Sequence, residues 1–257
     1  MKILTMFSIF LFVFSLLFFG NEIPYQELLL NTKELIKKWE KSLDEGILLE
    51  AFSILKKNNL SENYLYHYYL ALTEYQLALS KLQRKDKSEA KKYIKDGLEN
   101  LEKSIQIKED FSESYILLSN LTALRISITP VLSPFLGPKS SKYLDKAIQL
   151  EPNNPRAHLT KGIALLNTPS LFGGDVSKAI KELEMAISLF EKKERQDPLL
   201  PDWGGGDAYL WLAHAYFKNG NAKKAIEVAT VGINKYPDFL RLKKYLEKLK
   251  KSWEEKK

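Results

Sequence analysis

Apolar positions recur at helical spacing along most of the chain. In the C-terminal stretch LRLKKYLEKLKKSWEEKK, Leu242, Tyr245, Leu246, Leu249 and Trp253 fall on one face, with charge on the other. NTKELIKKWEKSL and EGILLEAFSILKK read as the first two helices of the body. YHYYLALTEYQLALSKL and DGLENLEKSIQIKED read as a further helix pair. The pattern predicts an all-α chain in which helices follow one another in pairs.

Residues Ile3 to Gly20 break this pattern with an almost unbroken apolar run, preceded by Lys2 and followed by Asn21-Glu22. Such a segment is a signal peptide or a single membrane anchor. Gly20 suits a cleavage site, whereas Phe18 does not suit the third-last position. Under either reading Lys2 stays inside and the body crosses to the far side. The expected location is therefore exported, periplasmic or in the cell envelope. Membrane contact runs through residues 1–20 if the segment is retained.

The clearest unit is GDAYLWLAHAYFKNGNAKKAIEVATVGINKYP, Gly206 to Pro237. Tyr209, Leu212-Ala213, Tyr216, Gly220, Ala225 and Pro237 carry its pattern. The small residues let two helices approach closely, and Leu212 and Tyr216 fill the space between them. Pro237 ends the second helix because it has no amide hydrogen to donate. The unit resembles the tetratricopeptide repeat, a helix–turn–helix of about 34 residues. Ala229 and Gly232 depart from the pattern. The preceding unit, beginning NPRAHLTKGIALLN, places Gly162, Leu165, Ala179, Leu183 and Ala186 at signature sites, with Lys161 a departure. Asn154 reads as its N-cap, Pro155 as its first helical residue and Asp175 as the cap of its second helix. The unit before it places Tyr115, Leu118, Ser119, Leu144, Ala147 and Pro152, with Ser140 or Ser141 capping its second helix.

The resemblance implies a right-handed α-solenoid with expanded turns, preceded by the N-terminal signal or anchor helix. It divides the chain into residues 1–20, N-terminal helices at 21–60 that admit a reading as a degenerate repeat, about three to four repeats over 61–240, and a capping helix at 241–257. Two expanded turns, SITPVLSPFLGPKSS (127–141) and NTPSLFGG (167–174), lie inside consecutive repeats and should project from one edge. Both are apolar and contain Pro, so they are expected to be packed, either as a lip narrowing the groove or as padding between repeats. A third insert, DPLLPDWGGGD (197–207), lies on the opposite edge, where Trp203 is expected to plug the interface.

In this family the first helix of each repeat lines the concave face. The resemblance thus implies a partner-binding groove of Ile116, Asn120, Leu124, Arg156, Leu159, Ile163, Leu166, Asp207, Leu210, His214, Phe217 and Lys218. This groove is largely apolar and lacks the cationic clamp that such domains use for acidic tails. The expected occupant is a protein or peptide segment. The stretch GGD-x-x-K-A at Gly173 to Ala179 is also similar to the helical periplasmic T-components of TRAP transporters, which implies an apolar small ligand as the alternative.

Composition narrows the chemistry. The chain has 257 residues and no Cys, which excludes a disulfide framework, a thiolate site and a lipid-modified Cys. The net charge of +7 comes from Lys interleaved with Glu, which reads as solvated helix faces rather than a nucleic-acid footprint. His67, His158 and His214 each stand without a His or Glu at the spacing a metal face needs. The glycines 204–206 follow no strand and form no phosphate loop. The cluster Tyr64, Tyr66, Tyr68 and Tyr69 could stack sugars or bases, but half of it is expected in the core. No catalytic residue, cofactor site or metal site is therefore expected, and the protein reads as a scaffold rather than an enzyme.

Overall fold

The computed structural model describes residues 24–192 and 197–255. The apolar run at 3–20 lies outside them, as do the last two residues of the capping segment. An N-terminal hairpin, α1 (Tyr25–Ser42) and α2 (Glu45–Lys57), leads into four helix pairs. These are α3 (Tyr64–Gln83) with α4 (Lys87–Ile107), α5 (Ser112–Ile128) with α6 (Ser133–Leu150), α7 (Pro155–Asn167) with α8 (Val176–Lys192), and α9 (Gly205–Lys218) with α10 (Ala222–Lys235). The last helix is α11 (Leu240–Glu254). Each pair packs internally and against its neighbour, which stacks them into a solenoid.

Local chemistry sets the helix starts. The side chains of Asn63, Asp86, Asn154 and Asn221 accept hydrogen bonds from the amides of Tyr66, Glu89, Arg156 and Lys224. Asp175 accepts from the Lys178 amide at 3.0 Å. Small residues set the helix spacing. Ala147, Ala179, Ala186, Ala213 and Ala225 are fully buried. A Cβ at Gly162 would lie 2.6 Å from Leu183 Cγ, and one at Gly232 would lie 2.5 Å from Tyr209 Cβ. These contacts leave no room for a methyl group, so the departure at Gly232 is a requirement of packing.

The core is not one mass. One apolar cluster joins the N-terminal hairpin, the first pair and α5; another joins the last two pairs and α11; a smaller one holds Tyr115, Ile116, Leu144, Ala147 and Ala157 between them. Trp203 packs against all three. The interface plug expected of Trp203 is thus a three-way junction.

The expanded turns differ from the expectation in two ways. The first is largely helical: a 3-10 turn covers Pro130–Leu132 and α6 then starts at Ser133, ahead of the expected cap. Pro134 suits the first turn of α6, whereas Pro138 lies inside the helix, where it has no amide hydrogen to donate to the carbonyl four residues back. Ser140 lies inside α6 and bonds to Ser119, so it caps nothing. The second difference is burial. Val131, Phe135, Leu171 and Phe172 are 75 to 87% exposed. They are not packed, and no Cα atoms of the two 3-10 turns approach within 8 Å.

Candidate functional site

The first helices of the four pairs, α3, α5, α7 and α9, are those expected to line the concave side. Near their N-terminal ends the chain fills this side itself. Arg156 is 1% exposed, and its Nε donates to Glu113 Oε2 at 2.7 Å. Asn154 Nδ2 donates to Glu113 at 2.8 Å and to Glu151 at 2.8 Å, and the Ser112 hydroxyl donates to Glu151 at 2.7 Å. The Arg156 guanidinium also lies 5.7 Å from the Trp203 ring centroid and donates to the Trp203 carbonyl at 3.2 Å. Trp203 Nε1 in turn donates to the Tyr68 hydroxyl at 2.8 Å. The buried charge pair is therefore compensated on both sides, which a dry interior demands.

The segment 197–204 carries this network across to the N-terminal hairpin. The Tyr69 hydroxyl donates to the Leu199 carbonyl at 2.8 Å, and Lys33 Nζ donates to the Leu200 carbonyl at 2.6 Å and to that of Pro198. Burial lowers the pKa of Lys33, and the charge of Asp202, 3.5 Å away, opposes that shift. Gly204 ends the segment at φ +102°, a conformation that L side chains rarely adopt. Helix α1 then bridges the two ends of the solenoid, touching α2 and α3 on one side and α11 on the other. The Arg241 guanidinium sits 5.4 Å from the Trp39 ring centroid and 3.1 Å from Asp207 Oδ1. Lys41 pairs with Asp238 at 2.9 Å and Lys37 with Asp202 at 2.9 Å. Half-buried Glu40 lies within this group; burial and the nearby Asp207 push its pKa up to about 7.

The residues expected to line a groove thus divide into two sets. Arg156, Leu159, Ile116 and Asp207 are buried in the closed half. Asn120, Leu124, Ile163, Leu210, His214 and Phe217 are partly exposed, Lys218 is exposed, and Leu166 is 1% exposed. Lys218 Nζ donates to the Leu166 carbonyl at 2.5 Å, and His214 Nδ1 lies 3.0 Å from the Tyr245 hydroxyl. Burial, with Lys218 and Lys248 nearby, holds the His214 pKa below the ordinary histidine value. This open half lies toward the C-terminal ends of the first helices, where the chain turns into the exposed Val131, Phe135, Leu171 and Phe172. Sequence reasoning missed the closure by α1. Its one local signal is Trp39 between lysines, which is also what an ordinary amphipathic helix shows.

A tetratricopeptide-repeat profile matches residues 206–230, within the α9–α10 pair. The chain is similar to the HusA haemophore from Porphyromonas gingivalis, with 24% identity and a TM-score of 0.64, over 77% of this chain and 96% of that one. It is also similar to TTC0263, a thermophilic tetratricopeptide protein of Thermus thermophilus, with 17% identity and a TM-score of 0.56, over 79% and 91% of the two chains. These likenesses concern the fold. The α9–α10 pair matches a tetratricopeptide repeat, and the chain has the fold of tetratricopeptide-repeat proteins. No curated protein sequence matches it significantly.

As a right-handed tetratricopeptide solenoid it keeps the family's packing sites while turning family surface into interior. Tyr66, Tyr68 and Tyr69 are no more than 3% exposed, so most of the tyrosine cluster is core. None of the histidines stands free. His67 lies between Asn100 Oδ1 at 3.3 Å and the Ser61 carbonyl at 2.9 Å, and His158 Nδ1 is 2.7 Å from Glu182. Among the described residues no three His, Cys, Asp or Glu side chains could hold a metal ion. No described helix is long and apolar enough to cross a membrane. Glu74, fully buried between α3 and α4, accepts from Asn100 Nδ2 at 2.9 Å, while its Oε1 has no partner. Burial pushes its pKa up to about 8, against the pull of the Asn100 bond. An open cavity of about 270 Å³ among α8, α9 and α10 is lined by Ile187, Tyr209, Leu212, Tyr216 and Val228.

Proposed function

We propose that this tetratricopeptide protein is an exported, non-catalytic scaffold, periplasmic or in the cell envelope, that binds a protein or peptide segment along the open half of its concave groove. The carrying observation is the partition of the groove. One half is sealed by a satisfied polar network and by α1, while Leu124, Ile163, Leu210 and Phe217 remain accessible in the other. Solenoids present extended surfaces of this kind. Residues 1–20 would direct export and would tether the body if retained.

Site-directed photo-crosslinking in cells tests this reading. A crosslinking residue at 124, 163 or 217 should capture the same protein partner, and one at the convex position 231 should not. Capture from 231 alone would place the partner surface elsewhere.

A second reading takes an apolar small ligand in the same half, and the likeness to a haemophore favours it. Haem titration separates the two. A Soret shift that is lost on Phe217→Ser would support the ligand reading, and no shift would leave the groove to a polypeptide. Nothing among the structural likenesses supports the similarity to TRAP T-components.

A further inference from the structure

The first-to-second-helix turns fall into two kinds. In the first and last pairs they are short and polar, Arg84-Lys85-Asp86 and Asn219-Gly220-Asn221. In the two middle pairs they are longer, and together with the first turn of α6 they carry Val131 at 76%, Phe135 at 77%, Leu171 at 87% and Phe172 at 75% exposure. These four side chains lie in or just beyond the two turns, on one edge, because α5 and α7 run side by side and each turn follows its helix. They add nothing to any of the apolar clusters. Large apolar side chains exposed together in this way mark a contact surface.

The charge around the tips identifies the kind of surface. The segments 125–146 and 168–181 contain six cationic residues and two acidic ones. Arg125, Lys139, Lys142, Lys178 and Lys181 are exposed, and they flank the tips rather than interrupting them. The acidic residues are Asp145 and Asp175, and Asp175 is engaged in capping α8. Exposed apolar residues flanked along the chain by cations match the interface of an anionic bilayer: the apolar side chains enter the acyl boundary while the cations meet the headgroup phosphates. A groove for a folded protein would instead be expected to mix donors and acceptors among its apolar anchors.

We propose that this edge docks on an anionic membrane surface through Val131, Phe135, Leu171 and Phe172. Docked so, the solenoid stands on the bilayer with the open half of its groove next to the headgroups. A segment or ligand leaving the membrane would meet that half first. The docking surface is independent of the proposed groove partner, and either can fail without the other.

The absence of Cys makes the test site-specific. The full chain carrying Phe135→Cys, Phe172→Cys or, as control, Val231→Cys is labelled with an environment-sensitive fluorophore. Each is added to vesicles of phosphatidylcholine with or without phosphatidylglycerol, some containing brominated acyl chains. Labels at 135 and 172 should shift to the blue and be quenched by bromine on the anionic vesicles, and both effects should weaken on neutral vesicles and at high salt. The label at 231 should stay water-like even where residues 1–20 hold the chain on the vesicle. Tip labels as water-like as the control on anionic vesicles would overturn the proposal. A blue shift that grows with protein concentration in the absence of vesicles would also overturn it, assigning the patch to a second copy of the chain. Phe172→Asp in the Phe135→Cys background should cut the quenching severalfold, while circular dichroism confirms an unchanged helix content.

Discussion

Where one pair of helices hands over to the next, Arg156, Glu113, Asn154 and Trp203 bury their polar atoms in one another. Where the first helix of a middle pair turns into the second, Phe135 and Leu171 stand in solvent. The same solenoid therefore has one edge completed by its own chain and one left incomplete. The completed edge uses segments distant in sequence, α1 and 197–204, to close what a plain repeat array leaves open. The incomplete edge spends apolar residues where they stabilise nothing within the chain. Stability should therefore concentrate at the first edge and interaction at the second.

The strongest attack on that contrast is Arg156→Met. It leaves Glu113 buried without its cation and should destabilise the fold by about 3–5 kcal/mol, read by urea unfolding. A loss near zero would mean that the closed edge is not a structural element. Gly206→Ala probes the same edge by packing. Its Cβ would fall 2.6 Å from Phe239 Cγ, and overpacking of this kind costs about 1–3 kcal/mol.

Glu74 sharpens the comparison from the interior of the first pair, away from both edges. Its folded pKa of about 8 stands above the free value of 4.5. The folded state therefore holds a proton that the unfolded state releases, and stability falls as pH rises from 4.5 through about 8. Glu74→Gln should flatten that slope and stabilise the protein at the alkaline end by about 1–3 kcal/mol, as thermal melts across the window would show. The smallest effect belongs to the open edge. Replacing Val131, Phe135, Leu171 and Phe172 with Ser should change stability by no more than about 0.5 kcal/mol per site. A larger loss would show that the tips are structural after all.

Much of the architecture could be read locally. The caps at Asn154 and Asp175 are one-residue decisions, and each makes the expected bond. The last repeat is legible because Ala213, Ala225 and Pro237 state their constraints within about 34 residues. The candidate site was legible only as a list of concave positions. Nothing near Ile116 or Leu159 announces that they would be buried, because what covers them comes from elsewhere in the chain. The misreading of the two turns has a related cause. Apolar content usually means burial, but it does so only when a partner surface is within reach, and Leu171 and Phe172 have none.

By itself the sequence determined the helices, their pairing and the close approaches within each pair. Those depend on a periodicity of a few residues and on small side chains a turn or two apart. Only the tertiary structure decided which half of the groove is open. That depends on bonds from Lys33 to Leu200 and from Tyr69 to Leu199, which join residues 167 and 130 positions apart. A lysine that finds a carbonyl at such a distance carries no local pattern, since the geometry that brings them together exists only once the solenoid has stacked.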